Sequence, residues 1–354
     1  MDKGKAEIYD AASKSEKQIK GKFKEMTKNT AKPRLALKVL LTAFLIMGLG
    51  SSTVAQTSVR TTASQKTRII LDTDIGDDVD DAFALGLALQ SPELEIVGVT
   101  TAWGDTALRA RMVRRMLVET GHAGIPVAEG IVTKSKAQFS QARWAERGPG
   151  GPRMDAVDFL LERIHTYPGE ITLVAIGPLT NVGAAIERDR ETFRKVKRVV
   201  LMGGSVRKGY GDMGYEPDRG PQTEYNIASD VAAAQKLFTS GVPIFMMPLD
   251  STLLKLDEVK REVLLSKGTP LTDALTLLYH QWGRPTPTLF DAMAVAYVVN
   301  PELCPVIKIR IEVDKDGFTR EVKGEPNVSA CLASDSEKFF RFAMPRWMKN
   351  SDKN

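Results

Sequence analysis

Short apolar runs alternate with longer amphipathic stretches along most of the chain. The runs are rich in β-branched and aliphatic side chains, as expected for buried strands. They are Arg68–Leu71, Ile96–Val99, Ile171–Ile176, Val199–Met202 and Ile244–Met247. The stretches between them have helical spacing and comprise Asp80–Gln90, Ala107–Thr120, Asp155–Thr166, Thr180–Arg188 and Ser229–Ser240. This alternation predicts a mostly parallel sheet with helices on both faces.

The C-terminal part has a different pattern. Two further apolar runs, Val306–Val313 and Phe318–Val322, flank the segment Asp-Lys-Asp-Gly at 314–317. Asp-Gly between two strand-like runs is a signal of a β-hairpin. We therefore predict an α/β fold over residues 67–350. Its core is a single open, mostly parallel, Rossmann-like sheet flanked by helices, and a β-hairpin follows near the C-terminus.

The N-terminal region has the layout of a signal peptide. Basic residues at 28, 32, 34 and 38 precede an apolar run from Val39 to Leu49, and small residues follow up to Ala55. We predict that residues 1–55 are a leader cleaved near Ala55, that residues 56–66 are a linker, and that the mature protein is exported, either to a periplasm or as a secreted protein. A membrane anchor is the alternative. The apolar run is shorter than the roughly 20 residues of a spanning helix, so no stable span is expected after cleavage.

Charge and cysteine content narrow the class of protein. The first 55 residues carry 11 lysine and arginine side chains against 5 acidic ones, and the rest carries 38 against 39. Because the basic excess lies in the leader, no nucleic-acid partner is expected. The two cysteines, Cys304 and Cys331, either pair in an oxidising compartment or stay as buried thiols. No Cys/His cluster has the spacing of a zinc site.

The most informative segment is rich in aspartate. Six aspartates fall within residues 72–81, directly after the first predicted strand. Ligands of open α/β sheets bind at the carboxyl ends of strands, and carboxylate oxygens without histidine or cysteine favour Ca²⁺ or Mg²⁺. An exposed acidic turn that caps a helix is the alternative. An EF-hand is excluded because the segment follows a strand and lacks the closing glutamate.

Several motifs in the same order resemble those of the inosine–uridine-preferring nucleoside hydrolase family. The segment 72–81 is similar to the family pattern DxDxGxDD, with two extra residues before the final aspartate pair. Residues 103–105 (Trp-Gly-Asp) lie where the family commonly has Gly-Asn. The other matches are GPLTN at 177–181, LMGG at 201–204, Glu-Tyr-Asn at 224–226 and D-x-x-A-V-A at 291–296. The resemblance implies a nucleoside hydrolase fold and hydrolysis of the N-glycosidic bond of nucleosides.

The resemblance also implies residue roles. A Ca²⁺ ion would be held by carboxylates and one backbone carbonyl, and catalysis would use an aspartate that accepts a proton from the attacking water. Other residues would contact the substrate, and family members are commonly dimers or tetramers, so a homo-oligomer is expected. The predicted metal ligands are Asp74, Asp81, Asp291 and the carbonyl of Ile176; the catalytic residue is Asp74; the substrate contacts are Asp80, Asp105, Glu224, Asn226 and Trp282. Asp77 and Asp78 are expected to lie either in the solvated turn or just behind the residues that contact metal and substrate.

One departure leaves alternatives open. Some family members have a histidine immediately before the aspartate that matches Asp291, whereas this chain has Phe290. His280 is a candidate replacement, although an isolated histidine near an apolar helix is more often structural. A Mg²⁺-dependent phosphohydrolase of the haloacid-dehalogenase type is a second function hypothesis, because it also places Asp-x-Asp after its first strand. An exported protein that binds Ca²⁺ or nucleosides without turnover is the third.

Overall fold

The fold is organised around one open β-sheet. The structure is a computed structural model and describes residues 66–213 and 220–350. Within these residues nine strands form the sheet, in the order β3-β2-β1-β4-β5-β6-β9-β7-β8. The strands are β1 (Thr67–Thr73), β2 (Leu94–Thr101), β3 (Val127–Glu129), β4 (Thr172–Ala175), β5 (Arg198–Met202), β6 (Ile244–Met247), β7 (Ile307–Val313), β8 (Thr319–Val322) and β9 (Val328–Ala330).

Helices connect most of the strands. The longest described helices follow the parallel strands or close the C-terminal region, and several short ones lie in the loops. They are α1 (Asp80–Leu89), α2 (Thr106–Glu119), α3 (Ala142–Ala145), α4 (Ala156–Thr166), α5 (Thr180–Arg188), α6 (Arg190–Phe193), α7 (Tyr225–Ser229), α8 (Val231–Phe238), α9 (Leu249–Thr252), α10 (Glu258–Leu265), α11 (Pro270–Trp282), α12 (Ala292–Val299) and α13 (Ser336–Trp347), with 3₁₀ turns at Tyr210–Met213 and Pro301–Leu303.

The direction of the strands confirms the predicted fold class. Strands β1 to β6 pair in parallel, and β9 continues this parallel set beside β6. At the far edge β7 pairs antiparallel with β9 and with β8, so the predicted C-terminal hairpin is present. From β1 the chain moves outward through β2 and β3, then returns to β4 on the other side of β1. A crevice at the carboxyl ends of β1 and β4 is therefore expected.

Alternate side chains of the central strands enter two separate cores. Ile69 and Leu71 belong to the cluster on one face, together with residues of α1, α2, α11, α12 and α13. Ile70 belongs to the cluster on the other face, together with residues of α4, α5 and α8. All three side chains are fully buried. A strand buried on both faces reads as a continuous apolar run, which explains why β1 is recognisable in the sequence.

The C-terminal region contains a strand that the apolar pattern did not predict. Strand β9 is three residues long and inserts between β6 and the β7–β8 hairpin. A disulfide joins Cys304 to Cys331, which directly follows β9. Of the two alternatives for the cysteines, the structure therefore has the paired one. The bridge connects the 3₁₀ turn after α12 to the end of β9.

The predicted leader lies outside the described residues, and so does the predicted linker apart from Lys66. The proposed bounds of the leader, linker and domain therefore stay predictions. Among the described helices, none is both long and apolar enough to cross a membrane.

Candidate active site at the carboxyl edge of the sheet

A cavity of about 440 Å³ opens where β1, β4 and β5 end. Every site residue predicted from the sequence lines it except Asp105. Its acidic wall consists of Asp74, Asp77, Asp78, Asp80, Asp81, Glu224 and Asp291. Its aromatic wall consists of Tyr210, Tyr225, Trp282 and Phe290.

Three buried carboxylates converge at the floor of this cavity. Asp80 and Asp81 open α1, and Asp291 precedes α12; each is 4% exposed. Each offers a carboxylate oxygen, and these three oxygens lie within 4.8 Å of one another. Asp80 does not cap α1, because Val79 occupies the capping position. Asp291 stands at the capping position of α12 but its side chain accepts no capping hydrogen bond. Helix capping therefore explains neither carboxylate.

The electrostatics of this cluster favour a bound cation. Burial raises the pKa of Asp80, Asp81 and Asp291 well above the usual carboxyl value, and repulsion from the neighbouring aspartates raises it further. Within the described residues, no lysine or arginine forms an ion pair with these three side chains. Carboxylate oxygens are hard ligands, so the group fits a divalent cation such as Ca²⁺ or Mg²⁺. The acidic cluster could thus bind a metal.

Asp74 lies beside this cluster, at the end of β1. It is buried, and burial raises its pKa to about 7, although the positive charge of Arg109 acts in the opposite direction. The turn that follows β4 passes very close to it. A Cβ atom at Gly177 would lie 2.8 Å from the backbone nitrogen of Asp74 and 2.8 Å from its Oδ1. Glycine at this position is therefore required for the approach of the two loops.

Glu224 and Asn226 form the wall beside β5. The Glu224 carboxylate accepts hydrogen bonds from the backbone N–H groups of Asn226 (2.8 Å), Ile227 (3.1 Å) and Gly204 (2.8 Å). The Asn226 side chain donates to the carbonyl of Ile176 at 3.3 Å. Both side chains are buried, so neither is the surface loop residue that the sequence alone allows.

Two predictions about aspartates are affected by the geometry. Asp105 is exposed, and its side chain accepts from the backbone N–H of Leu108 (3.0 Å) as the cap of α2. It does not line the cavity, so the prediction that it contacts substrate has no geometric support. The solvated turn, one of the two alternatives for Asp77 and Asp78, is not what the structure has. Both are partly buried cavity residues, and Asp77 forms an ion pair with Arg109 at 2.8 Å.

Asp72, counted with the other aspartates in the sequence, has a structural role. Its Oδ1 accepts from the side chains of Thr100 and Asn181, the latter at 2.8 Å. Asn181 also donates to the carbonyl of Thr101 at 3.0 Å. The asparagine of the GPLTN motif thereby ties the turn after β4 to the ends of β1 and β2. Burial raises the pKa of Asp72 to about 6.

The aromatic wall contains residues that the sequence did not reveal. Tyr210 packs edge to face against Phe290, with ring centres 6.1 Å apart, and its hydroxyl accepts from the backbone N–H of Tyr225 at 3.1 Å. No motif marks Tyr210 or Arg284, because they come from loops far apart in the sequence. None of the three histidines is among the described residues that line the cavity, and His280 is exposed.

The comparison with known families bears on the resemblance found in the sequence. The model of the family described as inosine-uridine preferring nucleoside hydrolase matches residues 69–341. The chain belongs to this family. Family membership confirms the resemblance and the prediction of an N-glycosyl hydrolase. The match begins within β1 and ends within α13, so it covers every described strand apart from the first two residues of β1.

Individual relatives of this nucleoside hydrolase support the same assignment. Uridine nucleosidase 1 of Arabidopsis thaliana is 32% identical over 275 residues, which cover 71% of this chain and 79% of the relative. The pyrimidine-specific ribonucleoside hydrolase RihA of Salmonella arizonae is 32% identical over 305 residues, or 77% of this chain and 95% of the relative.

Solved structures of relatives have the same fold. A plant nucleoside hydrolase, the PpNRh1 enzyme, superposes with a TM-score of 0.70 at 26% identity, covering 80% of this chain and 99% of that one. The purine-preferring ribonucleoside hydrolase from Gardnerella vaginalis has a TM-score of 0.67 at 27% identity, covering 79% and 98%. The two sequence relatives are named for uridine and for pyrimidines, whereas the Gardnerella vaginalis enzyme is named for purines.

Proposed function

We propose that this protein hydrolyses the N-glycosidic bond of nucleosides to a free base and ribose, with Ca²⁺ as its cofactor. The observation that carries the proposal is the convergence of buried carboxylates from α1 and α12 at the carboxyl edge of the sheet, in a chain of this family. Such a cluster is costly without a cation, and a cavity of about 440 Å³ adjoins it.

Asp74, Asp81 and Asp291 are the proposed carboxylate ligands, together with the carbonyl oxygen of Ile176. The three carboxylates whose oxygens lie within 4.8 Å of one another include Asp80 but not Asp74. Asp80 is therefore a further candidate ligand, in addition to its proposed contact with the sugar. When bound, the ion supplies Lewis acidity that lowers the pKa of water at the site. Asp74 accepts the proton of the attacking water, since its buried carboxylate lies next to the ligand cluster.

Ribose would lie between the acidic cluster and the wall of Glu224 and Asn226. Three backbone N–H groups hold the Glu224 carboxylate in one orientation, which suits it to accept hydrogen bonds from sugar hydroxyls. Asp80 faces the same space from α1. As the bond to the base breaks, the sugar takes on positive charge, which neighbouring carboxylates stabilise.

The base would lie against the aromatic wall. Trp282 lines the cavity and offers a flat face for stacking, and Phe290 supplies an apolar surface where some relatives have histidine. Aromatic surfaces accept purines and pyrimidines alike, because every base has a π-face. We therefore propose nucleosides as the substrate class and name no preferred base.

The decisive experiment measures the release of reducing sugar from uridine and inosine. We expect turnover with CaCl₂, loss of turnover with EDTA, and a loss of about 100-fold or more in kcat for Asp74→Asn. Asp189→Asn, at the half-buried N-cap of α6 and outside the cavity lining, is the matched control. Hydrolysis of p-nitrophenyl phosphate without action on nucleosides would contradict the proposal. Nucleoside binding without turnover would favour the third hypothesis.

We further propose that the protein is exported after cleavage near Ala55 and assembles as a homo-oligomer. The Cys304–Cys331 disulfide supports export, because such bonds persist mainly in oxidising compartments. N-terminal sequencing of the protein from the extracytoplasmic fraction should begin near Gln56, and an intact leader would contradict export. Light scattering should give a mass above one chain.

A further inference from the structure

A buried arginine holds the backbone of the aspartate-rich loop. Arg109 lies on α2 and its side chain is 1% exposed. One terminal nitrogen, Nη1, donates to the carbonyls of Asp74 and Ile75, the latter at 3.0 Å. The Nε group donates to the carbonyl of Trp103 at 2.7 Å, and Nη2 pairs with Asp77 Oδ2 at 2.8 Å. A single side chain thus joins the loop after β1 to the loop after β2.

The same guanidinium also lies against the segment that contains Phe139 and Ser140. Its Cζ atom lies 5.0 Å from the centre of the Phe139 ring. That ring occupies the space above Gly76, where an added Cβ atom would lie only 2.0 Å from Phe139 Cε2. Next to it, the Ser140 hydroxyl donates to the carbonyl of Asp77 at 2.8 Å. The segment around Ser140, which lines the cavity, is therefore docked on the loop that Arg109 holds.

The burial of the Arg109 guanidinium needs an explanation beyond packing. A buried guanidinium is strongly unfavourable unless its donors are satisfied, and here they are satisfied by main-chain carbonyls and one carboxylate. Two of those carbonyls belong to Asp74, the proposed catalytic residue, and to Ile75, which directly follows it. The donors form a rigid planar fork, so they fix the carbonyls at definite separations. A lysine has no such fork and would hold fewer of them.

We infer that Arg109 is a positioning residue of the active site, which holds the backbone at Asp74 and the long loop at Asp77 in the geometry that catalysis requires. It does so without lining the cavity, so it does not touch the substrate. This inference rests on the proposed function. Asp77 then anchors the aspartate-rich loop, which is two residues longer than in the usual family pattern.

The matched control is another arginine on the same helix. Arg114 has an 11% exposed side chain and bonds to Glu129 Oε1 (3.2 Å) and to the carbonyl of Pro152 (3.2 Å), away from the aspartate-rich loop. Arg109→Met and Arg114→Met should both lower the melting temperature. Only Arg109→Met should lower kcat for uridine, by about 10- to 100-fold per folded molecule, because it alone releases the loop.

Two further variants separate positioning from charge and from folding. Arg109→Lys keeps the charge but not the fork, so its kcat should stay well below wild type. Asp77→Asn keeps Arg109 in place and removes the ion pair, so it tests the anchor even if Arg109→Met does not fold. Its kcat should fall while KM for uridine changes little.

Amide hydrogen exchange supplies a readout independent of activity. Exchange over residues 74–79 should be faster in Arg109→Met than in wild type, and unchanged in Arg114→Met. Unaltered exchange over residues 74–79 in Arg109→Met would overturn the inference. So would an Arg109→Met variant with the same kcat as an active wild type. A wild-type protein inactive on nucleosides would instead count against the proposed function, and the exchange result would still decide the role of Arg109.

Discussion

At the scale of single residues, the site depends on close backbone approaches as much as on charged side chains. Gly177 shows this most clearly, because the turn after β4 touches the backbone of Asp74. The space is closed by the backbone nitrogen of Asp74 and by the Oδ1 and Cβ atoms of its side chain. The backbone nitrogen cannot move aside as the end of a flexible side chain can. A methyl group at this position has to displace either the turn or the carboxylate.

Gly177→Ala should therefore lower both activity and stability. We expect a loss of about 1–3 kcal/mol in the free energy of unfolding from overpacking. The kcat for nucleoside hydrolysis should fall by up to about 100-fold, because a displaced Asp74 no longer meets the attacking water. Kinetics on the purified variant and chemical denaturation measure the two effects.

Gly124→Ala is the control for this prediction. Gly124 is exposed, and an added Cβ atom there meets nothing within 4 Å. Wild-type kcat and stability are expected for this variant. An equal loss of kcat in both variants, or full activity of Gly177→Ala, would show that the contact with Asp74 does not matter.

At the scale of secondary-structure elements, two helices bring the acidic cluster together. Helix α1 begins with Asp80 and Asp81, and α12 follows Asp291. They pack against each other in the core on one face of the sheet. The disulfide holds the far end of the α12 region to β9 and so limits how far this helix can move from the sheet.

The double substitution Cys304→Ala and Cys331→Ala should lower the free energy of unfolding by about 3 kcal/mol. The reason is the added entropy of the unfolded chain, since the bridge closes a loop with a sequence separation of 27. Urea denaturation with and without a reducing agent measures the effect. Reduction should destabilise the wild type and leave the double variant unchanged, and a wild type insensitive to reduction would contradict the prediction.

At the scale of the whole molecule, the acidic cluster links stability to pH and metal. In the metal-free protein the pKa values of Asp80, Asp81 and Asp291 are raised, and that of Asp74 is about 7. The folded state thus keeps protons that the unfolded chain loses near pH 4. Stability is therefore lost as pH rises from about 4 towards 7.

Calcium should reverse this trend. Since the ion replaces the retained protons, CaCl₂ should raise the melting temperature of EDTA-treated protein more at pH 7 than at pH 5. Thermal unfolding at both pH values measures the difference. Asp81→Asn combined with Asp291→Asn should remove most of the calcium effect. An equal increase at both pH values would contradict the link between protonation and metal binding.

Much of the architecture follows from local sequence. The strands β1, β2, β4, β5 and β6 were predicted because strands buried on both faces are continuous apolar runs. Helices α4 and α5 have clear apolar periodicity, whereas α1 is buried on all sides. The observed bounds of α1, α2, α4 and α5 lie close to the predicted ones. Strands β3 and β9 were not predicted, because three residues are too few to form a pattern.

The sequence by itself determined that several carboxylates follow a buried strand, and that Glu224, Asn226 and Asp291 belong to the same family pattern. Only the tertiary structure decided which side chains meet. It joins Asp291 to Asp80 and Asp81 across more than half of the chain, directs Asp105 to solvent, and pairs Asp77 with Arg109. The physical reason is that side-chain direction and burial depend on packing between distant elements, which a local pattern does not contain.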